Sequence, residues 1–326
     1  MIQASLTRRG ALALGGALAL RVDGATAQAL PRTVRLIVPY PPGGASDITA
    51  RLLAQELSGA LEPSFVVENR GGAASITGTQ AIATAQPDAA TLGVVDTAFL
   101  VNPGLFGTRL PYDTRRDFTF VSMLVRSPLV LVVPAQSPWK NVAELMQAAK
   151  DRPGELAFGS AGNGSAVHMA GEQLRLAADF TYVHVPYRGG GPMITDLLAA
   201  RVQMAFGTVP AMAEHVRAGR LRALAVTGGT RAPLMPDVPS MVEVGQPRVD
   251  AALMNGLVGP AGLAVSTVET LSRAVRQVLT GVTMRARLAE LGFEPVASAP
   301  EEFRERGLRE IAQWEDVVRR SGIQPE

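Results

Sequence analysis

Three stretches of the sequence place glycines immediately before a helix-like pattern: Pro41-Pro42-Gly43-Gly44-Ala45-Ser46-Asp47, Asn69-Arg70-Gly71-Gly72-Ala73-Ala74-Ser75 and Gly159-Ser160-Ala161-Gly162-Asn163-Gly164-Ser165. A fourth follows at Arg188-Gly189-Gly190-Gly191-Pro192. A helix N-terminus carries roughly half a positive elementary charge and unsatisfied N–H donors, so such loops can hold a carboxylate or phosphate without Lys or Arg. One loop of this kind is usually a plain turn between strand and helix. Four of them make convergence on one cleft the expectation.

Sharper chemistry is missing. There is no G-x-x-x-x-G-K-[ST], no G-x-G-x-x-G after a strand and no G-x-S-x-G elbow, so nucleotide binding and α/β-hydrolase chemistry lose their best support. With no Cys in the chain, disulfides, zinc fingers, iron–sulfur clusters and thiol catalysis are excluded together. His168, His184 and His215 lie singly, without metal-ligand spacing, and no metal or other cofactor is expected. His168 follows Ser165 by three residues on one helix face and could reach the cleft, although a hydrogen-bonded structural histidine is the commoner role. Ser165 reads as a helix cap before it reads as a nucleophile. Asp47, as a cap, would turn its carboxylate onto its own helix and leave the cleft side to backbone donors. Arg70 and Arg188 could pair a ligand carboxylate, though loop arginines are usually solvated. Tyr40 and Tyr187, each beside a proline at a strand end, could form apolar walls with a polar tip.

The elements that must position these loops alternate. Val34 to Val38 is a β-branched run that leads through the first loop to a helix with Ile48, Leu52 and Leu57 on one face, capped by Ser46 or Asp47. Phe65 to Val67 leads through the second loop to a helix over 75–85, and a short strand follows at 91–95. Alternation of this kind implies a mainly parallel sheet. Ser127 to Pro134 is the most apolar strand, and a first crossover is placed near Leu131. A second block repeats the plan: a helix over 141–150, strands near 156–158 and 182–185, helices over 165–177 and 192–200, and strands near 203–206 and 221–227. The chain then returns near 253–260, and helices over 266–279 and 300–320 pack back on the first block. The organisation is α/β, two doubly wound lobes joined by two crossover strands. Lobe 1 comprises residues 30–130 and 255–326, and lobe 2 comprises 131–254. Two linkers make a hinge, with a cleft between the lobes.

At 326 residues, 47% hydrophobic and 18% charged, the chain has the material for two globular domains. Residues 1–29 read as an export signal: Arg8 and Arg9, an apolar run from Ala11 to Leu20, and small residues ending at Ala27 or Ala29, where cleavage is expected. The paired arginines slightly favour twin-arginine export over the general secretory route. That segment holds Arg8, Arg9, Arg21 and Asp23, the whole +2 of the chain, so the remainder has no net charge. It offers no electrostatic footprint for nucleic acid, and a monomer is expected.

The chain resembles the Bug-type receptors of tripartite tricarboxylate transporters. The likeness rests on Arg35 to Asp47, Val67 to Gly71, Asn102-Pro103, Leu110 to Asp113, Asp117-Phe118, Gly159 to Ser165, His168, Glu172, His184 to Gly189, Pro192 and Asp196 to Leu198. It implies a periplasmic receptor of the type II binding-protein kind, closing on a small organic carboxylate without catalytic residues. By position it implies first-lobe contacts from Tyr40, Gly43, Gly44, Ala45, Ser46, Gly71, Ala74, Ser75, and Asp96 or Thr97. Second-lobe contacts would come from Ser160, Asn163, Ser165, His168 and Tyr187. The partners implied are transporter membrane subunits, with a sensor protein as the alternative; a secreted hydrolase using Ser165 and His168 is a weaker reading. One departure bears on the ligand. The family often has an Asp where this chain has Gly207, and losing that acceptor turns the expectation from an amino acid towards a simple mono- or dicarboxylate.

Overall fold

The computed structural model describes residues 30–72 and 74–325; the expected export segment lies outside them. Each lobe is a sheet of three parallel strands extended by an antiparallel pair. In lobe 1, β1 (Thr33–Val38), β2 (Ser64–Asn69) and β3 (Thr91–Asp96) are parallel. β9 (Ala252–Pro260) runs antiparallel to β3 and to β4 (Phe118–Pro134), and β10 (Glu294–Pro295) pairs with β4. In lobe 2, β5 (Ala157–Ser160), β6 (Val183–Pro186) and β7 (Met204–Thr208) are parallel, while the far half of β4 pairs antiparallel with β7 and with β8 (Leu221–Val226). The strand orders β2-β1-β3-β9-β4 and β6-β5-β7-β4-β8 mirror one another, which is the doubly wound two-lobe plan read from the sequence.

The 17-residue β4 is the shared strand. It pairs with β9 up to Pro128 and with β7 and β8 from Leu129 onwards. The chain returns through residues 227–251 into β9. Helices cover both faces: α1 (Ala45–Ala60), α2 (Ile76–Ala83), α3 (Thr97–Phe106), α8 (Val265–Thr280), α9 (Val282–Glu290) and α10 (Pro300–Ser321) on lobe 1, and α4 (Val142–Asp151), α5 (Ala166–Ala178), α6 (Gly190–Leu198) and α7 (Val209–Arg217) on lobe 2. One core cluster runs across both lobes, from Phe99, Phe120 and Phe303 to Phe158 and Phe206, and each lobe has a second cluster on its other face.

Several local expectations are sharpened. Asn141 and Ser165 cap α4 and α5, accepting from the Glu144 and His168 amides at 2.9 and 3.3 Å. Helix α1, by contrast, is capped by neither Ser46 nor Asp47: its N-cap is Gly44, in extended conformation, and both side chains lie inside the first turn with other partners. The helices α3, α7 and α9 have no counterpart in the sequence reading. Close backbone approach explains Gly78 on α2. A Cβ there would sit 2.5 Å from the Arg70 carbonyl oxygen and 2.7 Å from Pro39 Cα, so α2 lies directly on the turns after β1 and β2.

Candidate functional site

In a doubly wound sheet, ligand sites form beyond the carboxyl ends of the strands, where the helices begin. Here the six parallel strands of the two lobes all end at one interlobe cavity of about 670 Å³. Tyr40, Pro41 and Ala45 follow β1, Ala74 follows β2, and Asp96 ends β3. From lobe 2 come Ala161 to Asn163 and Ser165 to Val167 after β5, Arg188 to Gly190 after β6, and Thr208 at the end of β7. The starts of α1, α2, α3, α5, α6 and α7 therefore surround the same space. Their first-turn N–H groups have no partner within their own helices, and the positive ends of six helix dipoles add over one volume. Between them the walls are apolar, with Leu105, Phe106, Leu129, Val167, Met193 and Met212 among the lining residues. Arg188 is the one basic side chain in the lining; it is exposed, and among the described residues it has no ion-pair partner.

The lobes meet beside this cavity. Gly164, at φ +73°, brings its backbone so close to α3 that a Cβ would lie 2.6 Å from Leu105 Cδ1. Farther along α5, Arg175 donates to the Ser321 carbonyl at the end of α10 at 3.1 Å. Gln173 holds Asp250 on the return linker at 2.8 Å.

The anticipated contact residues divide into those that line the cavity and those that build its loops. Tyr40, Ala45, Ala74, Asp96, Asn163 and Ser165 line it. The others do not appear in its wall. The Gly43 amide donates to Asp47 Oδ2 at 2.9 Å, and Gly44 is the α1 cap. Ser46 Oγ accepts from the buried Asn255 at 2.8 Å, and Asn255 Oδ1 accepts from Thr49, which moors α1 to β9. Thr97 Oγ1 donates to the Ala252 carbonyl and accepts from the Met254 amide, pinning the second crossover. Gly71 packs on Pro41, and the buried Ser75 starts α2 in left-handed conformation, 3.5 Å from Asn102 Nδ2. Tyr187 turns its hydroxyl to Asp196 at 2.8 Å.

Ser160 and His168 belong to a polar cluster under the β5–α5 loop. The two histidine rings, His168 and His184, stack at 4.0 Å with an interplanar angle of 1°, and Ser160 Oγ lies 2.6 Å from His184 Nε2. His168 Nδ1 accepts from the Gly164 amide at 3.2 Å and thereby fixes the loop that lines the cavity. Burial, with the neighbouring His184 second, depresses the His168 pKa to about 3, so its ring is neutral. Ser165 Oγ donates to the Gly162 carbonyl at 2.7 Å; the bond between Ser165 and His168 goes to the His168 backbone, so the two side chains do not form a nucleophile–base pair. Further in, Glu172 accepts from Arg175 and Tyr182. Burial pushes that carboxyl up, but the hydrogen bonds from Arg175 and Tyr182 outweigh it and hold its pKa below the usual value.

Asp47 is not the α1 cap, and besides Arg51 on its own helix its carboxylate binds groups outside it. It is 2% exposed and takes bonds from the Gly43 amide, Arg51 Nε and Asn69 Nδ2. Those bonds outweigh the upward pull of burial and lower its pKa. It ties the β1–α1 loop to the end of β2. At the Gly207 position, Met212 Cε lies 2.0 Å from where a Cβ would be, so the methionine fills the space an acidic side chain would need.

Residues 49–323 match the family model of the tripartite tricarboxylate transporter family receptor, TctC. The chain belongs to this family. A protein encoded in the tcbD–tcbE intergenic region of a Pseudomonas species is 35% identical over 97% of this chain and 95% of its own length. BugT of Bordetella pertussis is 35% identical over 89% of this chain and 90% of its own. Among solved structures, one from R. palustris with adipate superimposes with a TM-score of 0.81 at 32% identity, covering 91% of this chain and 99% of that one. MatC from Rhodopseudomonas palustris with bound malate gives 0.77 at 30% identity, covering 88% and 99%. The resemblance to Bug-type receptors and the two-lobe α/β fold thus hold. Among the described residues no helix is long and apolar enough to cross a membrane, and no three metal-binding side chains cluster.

Proposed function

We propose that this TctC-family receptor is exported to the periplasm, captures a small organic carboxylate between its lobes and presents it to the membrane subunits of a tripartite tricarboxylate transporter. The observation that carries the reading is the convergence of six helix N-termini on one cavity of about 670 Å³. Backbone donors in a site shielded from water hold an anion strongly, because they are already oriented and their bonds are charge-assisted. The apolar walls suit a ligand with a hydrocarbon body, and Arg188 at the β6–α6 loop adds long-range attraction. The adipate and malate complexes of relatives support the chemical class.

Thermal unfolding of the protein, unfolded and refolded first to strip co-purified ligand, against a panel of mono-, di- and tricarboxylates tests it. Ligand at about a hundredfold excess over its dissociation constant adds about 2.7 kcal/mol of stability. A saturable rise in Tm with at least one acid is expected. No rise with any acid contradicts the assignment.

A further inference from the structure

One part of the cavity wall comes from the far end of the sequence. Gly322, at φ +67°, ends α10 in left-handed conformation, its amide donating to the Val318 carbonyl at 3.0 Å, and so turns the chain off the helix axis. Beyond it Ile323 is half-buried against the core cluster that contains Leu105 and Val167, Gln324 is exposed, and Pro325 lines the interlobe cavity. That alternation of sides is the period of extended chain, and Gln324, which precedes a proline, is biased to it. The tail leaves α10 at a point that lobe 2 grips: the Ser321 carbonyl accepts from Arg175 of α5 at 3.1 Å, and Arg175 is itself held by Glu172 at 2.7 Å. From Arg175 back to Val167, another residue of the cavity wall, α5 measures about 12 Å. The chain from Ser321 to Pro325, when extended, spans about 13 Å. The tail therefore runs back along α5 towards its start, over the seam where the Gly164 turn meets Leu105 of α3. On the other side of that seam α3 lies on α10 itself, a Cβ at Gly104 being 3.1 Å from Glu315 Cα. The surroundings of the tail's end are apolar: Leu105, Phe106 and Val167 line the same cavity, and Pro325 brings a ring and no N–H donor.

We propose that this tail, Gly322 to Pro325, is a size-selecting wall of the ligand site: Pro325 closes the apolar end of the cavity and sets the length of the carboxylate that fits. This rests on the receptor reading above and adds to it a determinant of which acids are admitted. With the carboxylate among the helix starts, the hydrocarbon body extends towards Leu105, Phe106 and Val167, and each further methylene buried there raises affinity about fourfold until the chain meets the proline ring. The position of that ring is set from outside the cavity, by Ile323 on the core and by the Arg175 bond to Ser321. Because α10 belongs to lobe 1 and Arg175 to lobe 2, the bond that fixes the root of the tail also ties the two lobes.

The test is calorimetric titration of the refolded protein with two series of unbranched acids, mono- and dicarboxylates of about three to ten carbons. The natural sequence is compared with a chain ending at Gly322, with Ile323→Asp, which releases the tail without changing a residue of the cavity wall, and with Pro325→Trp. In the natural protein, affinity within a series should rise with length to an optimum and then fall. In the shortened chain and in Ile323→Asp the optimum should move to longer acids, and the acid just beyond the natural optimum should gain about tenfold or more, the size of relieving one methylene's clash in an apolar pocket. Pro325→Trp should move the optimum to shorter acids. Should the shortened chain fail to fold, the two point variants decide the matter, since each changes one side chain beyond the last helix. An unchanged optimum in the variants, or an equal loss of affinity at every length, overturns this inference and leaves the carboxylate receptor standing. Binding of none of the acids by the natural protein overturns both.

Discussion

At the scale of single residues, the side chains that looked most chemical are those the fold uses to hold loops. His168 stacks on His184 and anchors the Gly164 amide; Ser165 caps α5; Asp47 clasps Gly43, Arg51 and Asn69. Asp96, which the resemblance implies as one of two neighbouring contacts and which no motif singles out, lines the cavity and accepts from Tyr40 and the Ala98 amide. These two ionisable groups give opposite pH signatures. His168 has a folded pKa of about 3, below the value near 6.5 of an unfolded chain, so the unfolded state binds the extra proton and stability falls as the pH drops through 6.5. Asp96, raised from 3.8 to about 6, binds its proton in the folded state, so stability grows as the pH drops through 6 and is lost on the way up. The His168 loss therefore extends to lower pH than the Asp96 gain can offset. Tm measured from about pH 7 to about pH 4 should fall for the natural protein. It should fall less for His168→Gln, which can still accept from Gly164, and more for Asp96→Asn. An acid dependence unchanged by His168→Gln would show that the ring is charged or exposed.

At the scale of elements, legibility follows how much of an element's signal is local. The β1 run, its Pro-Gly stop, the cap at Ser165 and the helix beginning at 141 are short-range features, and the structure keeps each within a residue or two. Helix α3 was invisible because it is buried on nearly every side from Thr97 to Asn102, which leaves no apolar stripe to recognise, and it carries Pro103 in its interior. The first half of β4 was missed because register shifts against β9, near Val121 and Leu124, break the alternation of its face. Gly78 shows how a contact distant in sequence reverses a local rule. On an exposed helix face Gly→Ala stabilises by about 1 kcal/mol. On α2 the new methyl would strike the Arg70 carbonyl and Pro39, so Gly78→Ala should destabilise by about 1–3 kcal/mol in urea unfolding. A gain in stability would show that α2 does not bear on those two turns. Removing the Asp47 carboxylate, which is buried and bonded to three groups, should cost about 2 kcal/mol and loosen the β1–α1 loop against protease. An unchanged midpoint would contradict that role.

At the scale of the molecule, a shared strand and a return linker join two mirrored sheets so that the ends of all six parallel strands point at one another across a cavity. The alternation of strands and helices made the two lobes readable, and the repetition of Gly-rich turns made their convergence readable. Which turn residues face the ligand was not, because the direction of a side chain depends on partners such as Asn255 for Ser46 and Asp196 for Tyr187. The central claim is that the carboxylate sits among the helix starts inside this cavity. The most direct measurement is calorimetric titration of the refolded protein and of Ala45→Trp with whichever acid raises Tm most, since Ala45 lies in the cavity wall at the first position of α1 and an indole there would occupy the site. One-to-one binding by the natural protein, lost in Ala45→Trp although the variant folds with a cooperative transition, is the result predicted. Equal affinity in both proteins would place the ligand elsewhere and contradict the account.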